Sequence, residues 1–369
     1  MATIRDTDDQ AKNFFQVQMG TLESYKWRLK WFGDGGQLSR RNFAVSAFAG
    51  LLSLRAQKGE ISSFDLSLLD EGTVPNELFF VRDHFPVPNT SSATWALSIT
   101  GSVRTPLNIA FQDASRLPRK VLAATLECAE NPVGGGLVSQ AEWTGFALAS
   151  VVEPSPEARW ARLSGADGFS RCIPIEKALH ADTLIAYSMN GEKLPVNHGF
   201  PLRALIPGWY GMDSVKWLQR IELLPTEDTA ASSDYVRLVR SILAGTRSAT
   251  RLSSMLVKSV FARPLDGAIL TSRRFTVRGA AWAGENRVRQ VDVSTDGGKS
   301  WRAARLASDP LPYAWVQWTH EWKIPGSGQY ELRVRAEDER GRRQPEVRAA
   351  DRIDGYELNN YQSVRVTVI

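Results

Sequence analysis

The sequence predicts an α+β domain with mixed sheets, followed by a β-sandwich. Three observations predict it. Between residues 60 and 250, short strand patterns and short helix patterns mix without regular alternation. From about residue 256, apolar–polar alternations follow one another with no helix pattern between them. The 369 residues also exceed what one compact core usually serves, so more than one domain is expected.

Trp95 to Thr100 alternates and stops at Gly101, which reads as a strand entering a turn. Phe111 to Leu117 and Pro174 to Leu179 carry helical spacing. Thr183 to Met189 is an apolar stretch closed by Asn190-Gly191, a turn pair. Pro225 to Arg251 is polar and rich in Ser, Thr and Arg, and is read as a linker wrapping back over the first domain. Beyond it, Phe275 to Gly279, Val288 to Thr295, Trp315 to Trp322, Tyr330 to Ala336 and Val364 to Ile369 all alternate, and Asp296-Gly297-Gly298 is a hairpin signal. The expected divisions are an N-terminal extension over 1–58, a first domain over 59–252 and a second over 253–369.

Composition narrows the function. The net charge of +5, from 45 basic and 40 acidic residues, is spread along the chain. No Lys/Arg run alternates with aromatics, so a nucleic-acid groove is not expected, while an anionic cofactor or substrate suits the balance. The two cysteines, Cys128 and Cys172, make no disulfide framework and no C-x-x-C. The four histidines show no paired spacing, which argues against a metal cage built from protein alone.

Three segments carry chemistry. Cys128 stands where the apolar run Val121 to Leu126 ends and a loop containing Gly134-Gly135-Gly136 begins. A thiol so placed is presented to a bulky group by backbone that can approach closely, although a lone cysteine also packs well as a small buried hydrophobe. The second segment, Met189 to Arg203 with Pro207 to Trp217, is dense in Pro and Gly and carries His198, Arg203, Ser214 and Lys216. Those donors suit a phosphate-bearing ligand, and a solvated loop is the alternative. The third is Phe79 to Pro88, where Arg82 and His84 sit in an apolar stretch. Burying them unpaired would cost about 2–5 kcal/mol, so they meet protein partners or a polar ligand.

F-F-V-R-D-H-F-P-V-P, the cysteine loop, A-Y-S-M-N-G-E-K-L-P-V-N-H-G-F-P-L-R and P-G-W-Y-G-M-D-S-V-K-W-L occur in one order. That order resembles the molybdenum-binding domain of the sulfite oxidase family. G-A-A-W-A-G, V-D-V-S-T-D-G-G-K-S-W and D-G-Y-E-L-N-N resemble its immunoglobulin-like dimerisation domain, so the likeness spans residues 65–369. The resemblance implies a molybdenum–molybdopterin cofactor with Cys128 as the protein's thiolate ligand. It implies pterin contacts from His84, Asn131, Asp167, His198, Arg203, Ser214 and Lys216. It also implies a substrate-lining arginine at Arg82 and an active-site tyrosine at Tyr235. The activity implied is two-electron oxygen-atom transfer on sulfite or a related S/N-oxo compound, with a small anionic or polar substrate, a separate carrier such as a c-type cytochrome or haem subunit, and a homodimer.

Two departures stand out. Sulfite-oxidising members follow the cysteine with A-G-N-R-R; here Val133 replaces a substrate-site arginine, and Asp354 stands where another anion-binding arginine is expected. Losing two cations, with an acid beside each, weakens the case for a dianionic substrate. The alternatives are a binding or scaffold protein keeping the fold without cofactor, and a cysteine hydrolase, which needs a base at Cys128.

Arg40-Arg41 ahead of the apolar run Ala44 to Leu54 matches the twin-arginine export pattern, which implies a periplasmic or otherwise exported protein; a short amphipathic helix is the other reading. The apolar run is shorter than the roughly 20 residues that span a bilayer. Replacing Arg40 and Arg41 with lysine should hold the protein inside the cell, as measured by fractionation. Unchanged export contradicts that reading.

Overall fold

The computed structural model describes residues 60–69, 72–232, 234–241 and 246–369. The extension over 1–58, with Arg40-Arg41, lies outside them.

The strand Arg119–Glu127 pairs along its whole length with Val138–Ala147. Val138–Ala147 then pairs with Leu184–Met189, and Leu184–Met189 pairs with both Glu192–Lys193 and Arg203–Leu205. All these pairings are antiparallel. Leu184 and Ala186 enter one hydrophobic core while Ile185 between them enters another. Successive side chains of a strand point to opposite faces, so this sheet is buried on both. That explains why 184–189 reads as a continuous apolar run instead of an alternating one.

A second sheet runs in the order Leu107–Ala110, Ala96–Gly101, Leu218–Leu224, Trp160–Gly165, Ser170–Pro174. Ala96–Gly101 and Leu218–Leu224 are parallel and the other pairs antiparallel, so the sheet is mixed. Leu97, Ile99, Leu163, Ile221 and Leu223 pack its core.

The helical part of the expected α+β class shrinks to single turns. Phe111–Ala114 and Ile175–Ala178 are four residues each, and neither has a side-chain N-cap bond. Such turns are too short to be stable alone, and Pro118 disfavours α conformation at Leu117. The segment read as a linker contains the hairpin Val236–Arg240 with Arg247–Arg251.

From Lys258 onward two sheets face each other. One orders Lys258–Arg263, Arg274–Trp282, Val316–Lys323 and Arg305–Leu306. The other orders Ile269–Leu270, Gln362–Val368, Gly328–Asp338, Val288–Ser294 and Arg302–Ala303. Val277, Trp318, Val334 and Val366 are among the side chains between them. Gly297 and Gly298 take positive φ at the expected hairpin.

The strand Arg274–Trp282 links the two parts of the chain. Val277 and Ala281 fill the sandwich core, whereas Ala280 and Trp282 point the other way and join the core that contains Leu126, Cys128 and Trp143. Here Lys258 Nζ bonds Glu127 Oε1, and Trp282 Nε1 donates to Glu127 Oε2 at 2.8 Å. Both charged side chains are essentially sealed from solvent, at 2% and 1% exposure. Removing one partner of such a pair strands a buried charge, at a cost of about 3–5 kcal/mol. Lys258→Met should therefore destabilise the protein by about that amount, while Glu127→Gln/Lys258→Met should lose less than the single variant. Urea unfolding midpoints measure this, and equal losses would refute it.

Candidate active site

Cys128 follows the last residue of Arg119–Glu127, and its backbone N–H donates to Leu137 O at 2.9 Å, closing a loop over 128–137. Gly136 belongs in that loop for a steric reason: a Cβ there would sit 1.9 Å from Phe64 O. Gly134, at φ +74, makes the turn. Cys128 faces a cleft. Burial pushes its thiol up to about 11, with Glu130 and Glu127 adding to the rise; the Glu130 backbone hydrogen bond and Arg82 oppose it. A neighbouring cation or metal is needed to keep such a sulfur ionised at neutral pH.

The same cleft is lined by Arg82, His84, Asp167, His198, Arg203, Ser214, Lys216 and Tyr235. Four chain segments far apart in sequence thus converge on Cys128. Asn131 is the exception among the expected cofactor contacts. It is buried away from the cleft wall, its amide donating to Glu127 Oε1 at 3.1 Å and its Oδ1 accepting from Leu137 N at 3.0 Å. Its place is to shape the cysteine loop.

The cations are held in distinct ways. Arg203 donates to His198 O at 3.0 Å, Ser214 O at 2.9 Å and Ala204 O at 3.4 Å, and lies 4.9 Å from the Trp143 ring. It has no carboxylate partner among the described residues, and two of a guanidinium's five donors are left over. Burial pulls its pKa down to about 9. Lys216 bonds the Asp83 carboxylate and Asn197 O at 2.9 Å, and burial lowers its pKa too. Asp83 Oδ2 is buried with no hydrogen-bond partner among the described residues. Burial raises the Asp167 carboxyl. Ser214 Oγ accepts from Ile206 N at 3.0 Å.

Both cleft histidines are neutral at pH 7. Burial brings His198 down to about 4, with Arg203 and Lys216 adding to the fall. Its Nε2 lies 2.9 Å from Asn76 O, and a carbonyl only accepts, so Nε2 carries the proton. Burial likewise brings His84 to about 4, helped by Arg82, Lys216 and Arg171. His84 stacks on Phe169 at 4.2 Å and its Nε2 meets the Tyr235 hydroxyl. Burial raises the Tyr235 phenol, so it stays protonated.

The charged groups around Cys128 and Tyr235 are paired within the protein. Arg82 donates to Asp83 O at 2.8 Å and meets Glu130 at 3.5 Å. Arg171, 5.4 Å from the Tyr235 ring, is buried against Asp213 at 2.9 Å. Asp354, which stands where the resemblance places an anion-binding arginine, is clamped by Arg348 at 2.7 Å and Arg352 at 2.8 Å. Burial would raise its carboxyl, but Arg352 and the backbone N–H groups of Tyr356 and Leu238 hold it well below the usual range. Sequence reasoning missed the structural parts played by Asp83, Phe169, Arg171, Glu127 and Lys258. Only Asp83, between Arg82 and His84 in a motif already singled out, carried a signal.

The comparisons define the class. Residues 84–232 match the family described as the oxidoreductase molybdopterin binding domain, and 249–369 match the Mo-co oxidoreductase dimerisation domain. Sulfite oxidase of Gallus gallus is 34% identical over 306 residues, covering 72% of this chain and 66% of that protein. Mitochondrial sulfite oxidase of Homo sapiens is 33% identical over 307 residues, covering 72% and 56%. The chain thus spans 56–66% of the length of these two relatives. The crystal structure of the sulfane dehydrogenase SoxCD from Paracoccus pantotrophus superposes with a TM-score of 0.78 at 27% identity, covering 96% of this chain and 93% of that one. The fold is that of the oxidoreductase molybdopterin binding domain joined to the Mo-co dimerisation domain. Within that class the chain belongs to the sulfite oxidase family.

The residues present fit the family's cofactor. A guanidinium and an ammonium suit a phosphate, the orphaned Asp83 Oδ2 suits an N–H donor, and one thiol faces the cleft with them. Arg203→Lys keeps the charge and loses the planar fork. It should lower bound molybdenum at least about tenfold, since that needs only ~1.4 kcal/mol of lost affinity. Elemental analysis of protein with an unchanged melting temperature measures it, and full metal content would contradict it.

Proposed function

We propose that the protein is a molybdopterin-dependent oxidoreductase that transfers an oxygen atom to or from a small sulfur oxo-compound. The observation that carries this is the meeting of Cys128, Arg82 and Tyr235 in one cleft with Arg203, Lys216, His198 and Ser214. The 0.78 TM-score to a sulfane dehydrogenase and the identity to sulfite oxidases support sulfur as the reacting element.

In this reading Arg203, Lys216 and Ser214 hold the pterin's phosphate, and His198, Asp83 and Asp167 face its ring system. Cys128 supplies the one protein ligand, as thiolate. The bound cofactor supplies two-electron redox chemistry and the oxygen exchanged with solvent. Arg82 orients the oxo group of the substrate. Tyr235, protonated, donates a hydrogen bond at the reacting centre, and neutral His84 holds its hydroxyl in place from a ring stacked on Phe169. Phe80 and Phe169, which line the cleft, keep bulk water from the reacting atoms. Electrons leave singly to a separate carrier such as a c-type cytochrome or haem subunit.

The same proposal includes a homodimer through an immunoglobulin-like C-terminal domain, supported by the family match over 249–369. It also includes export by way of Arg40-Arg41. The hydrolase alternative has no support: among the described residues no histidine hydrogen-bonds the Cys128 sulfur, and burial pushes that thiol up to about 11.

Cys128→Ser tests the proposal. Protein made in a host that synthesises molybdopterin should carry about one molybdenum per chain. The variant should melt as wild type does, yet lose at least about 100-fold in sulfite- or sulfinate-dependent reduction of a one-electron acceptor. Undiminished turnover would overturn the reading.

A further inference from the structure

The cleft is electrically divided. Its inner wall holds Arg203, a buried guanidinium whose donors reach only carbonyls. The side that faces the sulfur and the tyrosine hydroxyl has no such cation. Arg82, which lines the cleft, meets the Glu130 carboxylate at 3.5 Å. Arg171 behind Tyr235 is matched by Asp213, and Arg348 and Arg352 are matched by Asp354. Asp234 adds a further acid facing His84. His84 itself is neutral. Glu130 is the pivotal group because it acts on Arg82, Cys128 and Tyr235 together. Its side chain is 44% exposed and reaches the cleft through its contact with Arg82, which lines it.

We infer that Glu130 is a specificity-determining residue that sets the substrate class: a singly charged organosulfur oxyanion of the sulfinate type, in preference to the sulfite dianion. This rests on the oxygen-transfer reading above. A dianion at the reacting centre faces one cation already shared with a carboxylate, and its second charge is left uncompensated in a partly desolvated site. A sulfinate brings one charge for Arg82 and an apolar group for the walls formed by Phe80, Phe169 and Met212. The reaction balances as R–SO2⁻ + H2O → R–SO3⁻ + 2 H⁺ + 2 e⁻. The sulfur is oxidised and gains one S–O bond, water supplies the oxygen and loses both protons, and a one-electron carrier is reduced twice.

The test uses metal-loaded enzyme at one constant pH. Sulfate and methanesulfonate, a dianion and a monoanion of similar head group, are titrated calorimetrically into wild type and Glu130→Gln. Methanesulfinate and sulfite are then compared by kcat/KM. Wild type should bind methanesulfonate at least as tightly as sulfate. Glu130→Gln should tighten sulfate about tenfold and methanesulfonate less than about threefold, because removing a nearby charge acts twice on a dianion. The kcat/KM ratio of sulfite to methanesulfinate should rise by a similar factor. Tighter sulfate in wild type, or an equal shift for both anions in the variant, overturns the inference. The binding arm needs no turnover, so metal-loaded enzyme that oxidises neither compound but binds the anions as expected refutes the reaction and leaves the charge selection standing.

Discussion

The buried Glu127–Lys258 pair is the interaction on which the cleft depends. Glu127 is the residue before Cys128, so whatever fixes its carboxylate fixes the start of the cysteine loop. Lys258 and Trp282, both from the C-terminal sheets, take its two oxygens, and Asn131 closes the loop on the same group. Further along, Glu357 N donates to Ala129 O at 2.9 Å, and Tyr356 packs on Tyr235 with ring centroids 5.4 Å apart. The C-terminal sheets are therefore part of the site's construction. A charge sealed from water tolerates few alternative geometries, because any rotamer that breaks the pair strands it.

The same economy governs the electrostatics. Deep in the cleft, Arg203 is buried with only carbonyl partners, which leaves attraction for an anion that stays bound. Nearer Cys128, burial neutralises His84, keeps Tyr235 protonated and leaves the arginines matched by acids. A tightly held anion and an exchanging one make opposite demands, and the cleft meets them with the same residue types in different pairings. Strong unpaired charge suits a resident group; balanced charge suits a ligand that must leave.

Much of this was legible in the sequence where the signal was local. Alternation marked the strands after residue 256 because one face of each packs on the sandwich core. Asn190-Gly191 marked its turn. Nine of the ten expected site residues line one cleft; seven of them sit in motifs recognisable in order, while Asp167 and Tyr235 lie outside those motifs. Asn131 was the exception, since a loop's sequence does not say which way an amide turns. The strands Arg119–Glu127 and Val138–Ala147 gave no alternation: Ser139 and Gln140 are buried polar residues satisfied across the sheet or by loops. The pairs that hold the site together left no trace, because Glu127 and Lys258 are 131 positions apart and Asp83 and Lys216 are 133 apart. The partners of Asp354 were not legible either, because Arg348 and Arg352 belong to no motif.

The most direct measurement is X-ray absorption at the molybdenum edge of the intact protein and of Cys128→Ser. The account predicts one sulfur scatterer fewer around the metal in the variant, with metal content and fold retained. An identical sulfur shell in the two proteins would show that the Cys128 thiolate does not reach the metal, and would contradict the account at its centre.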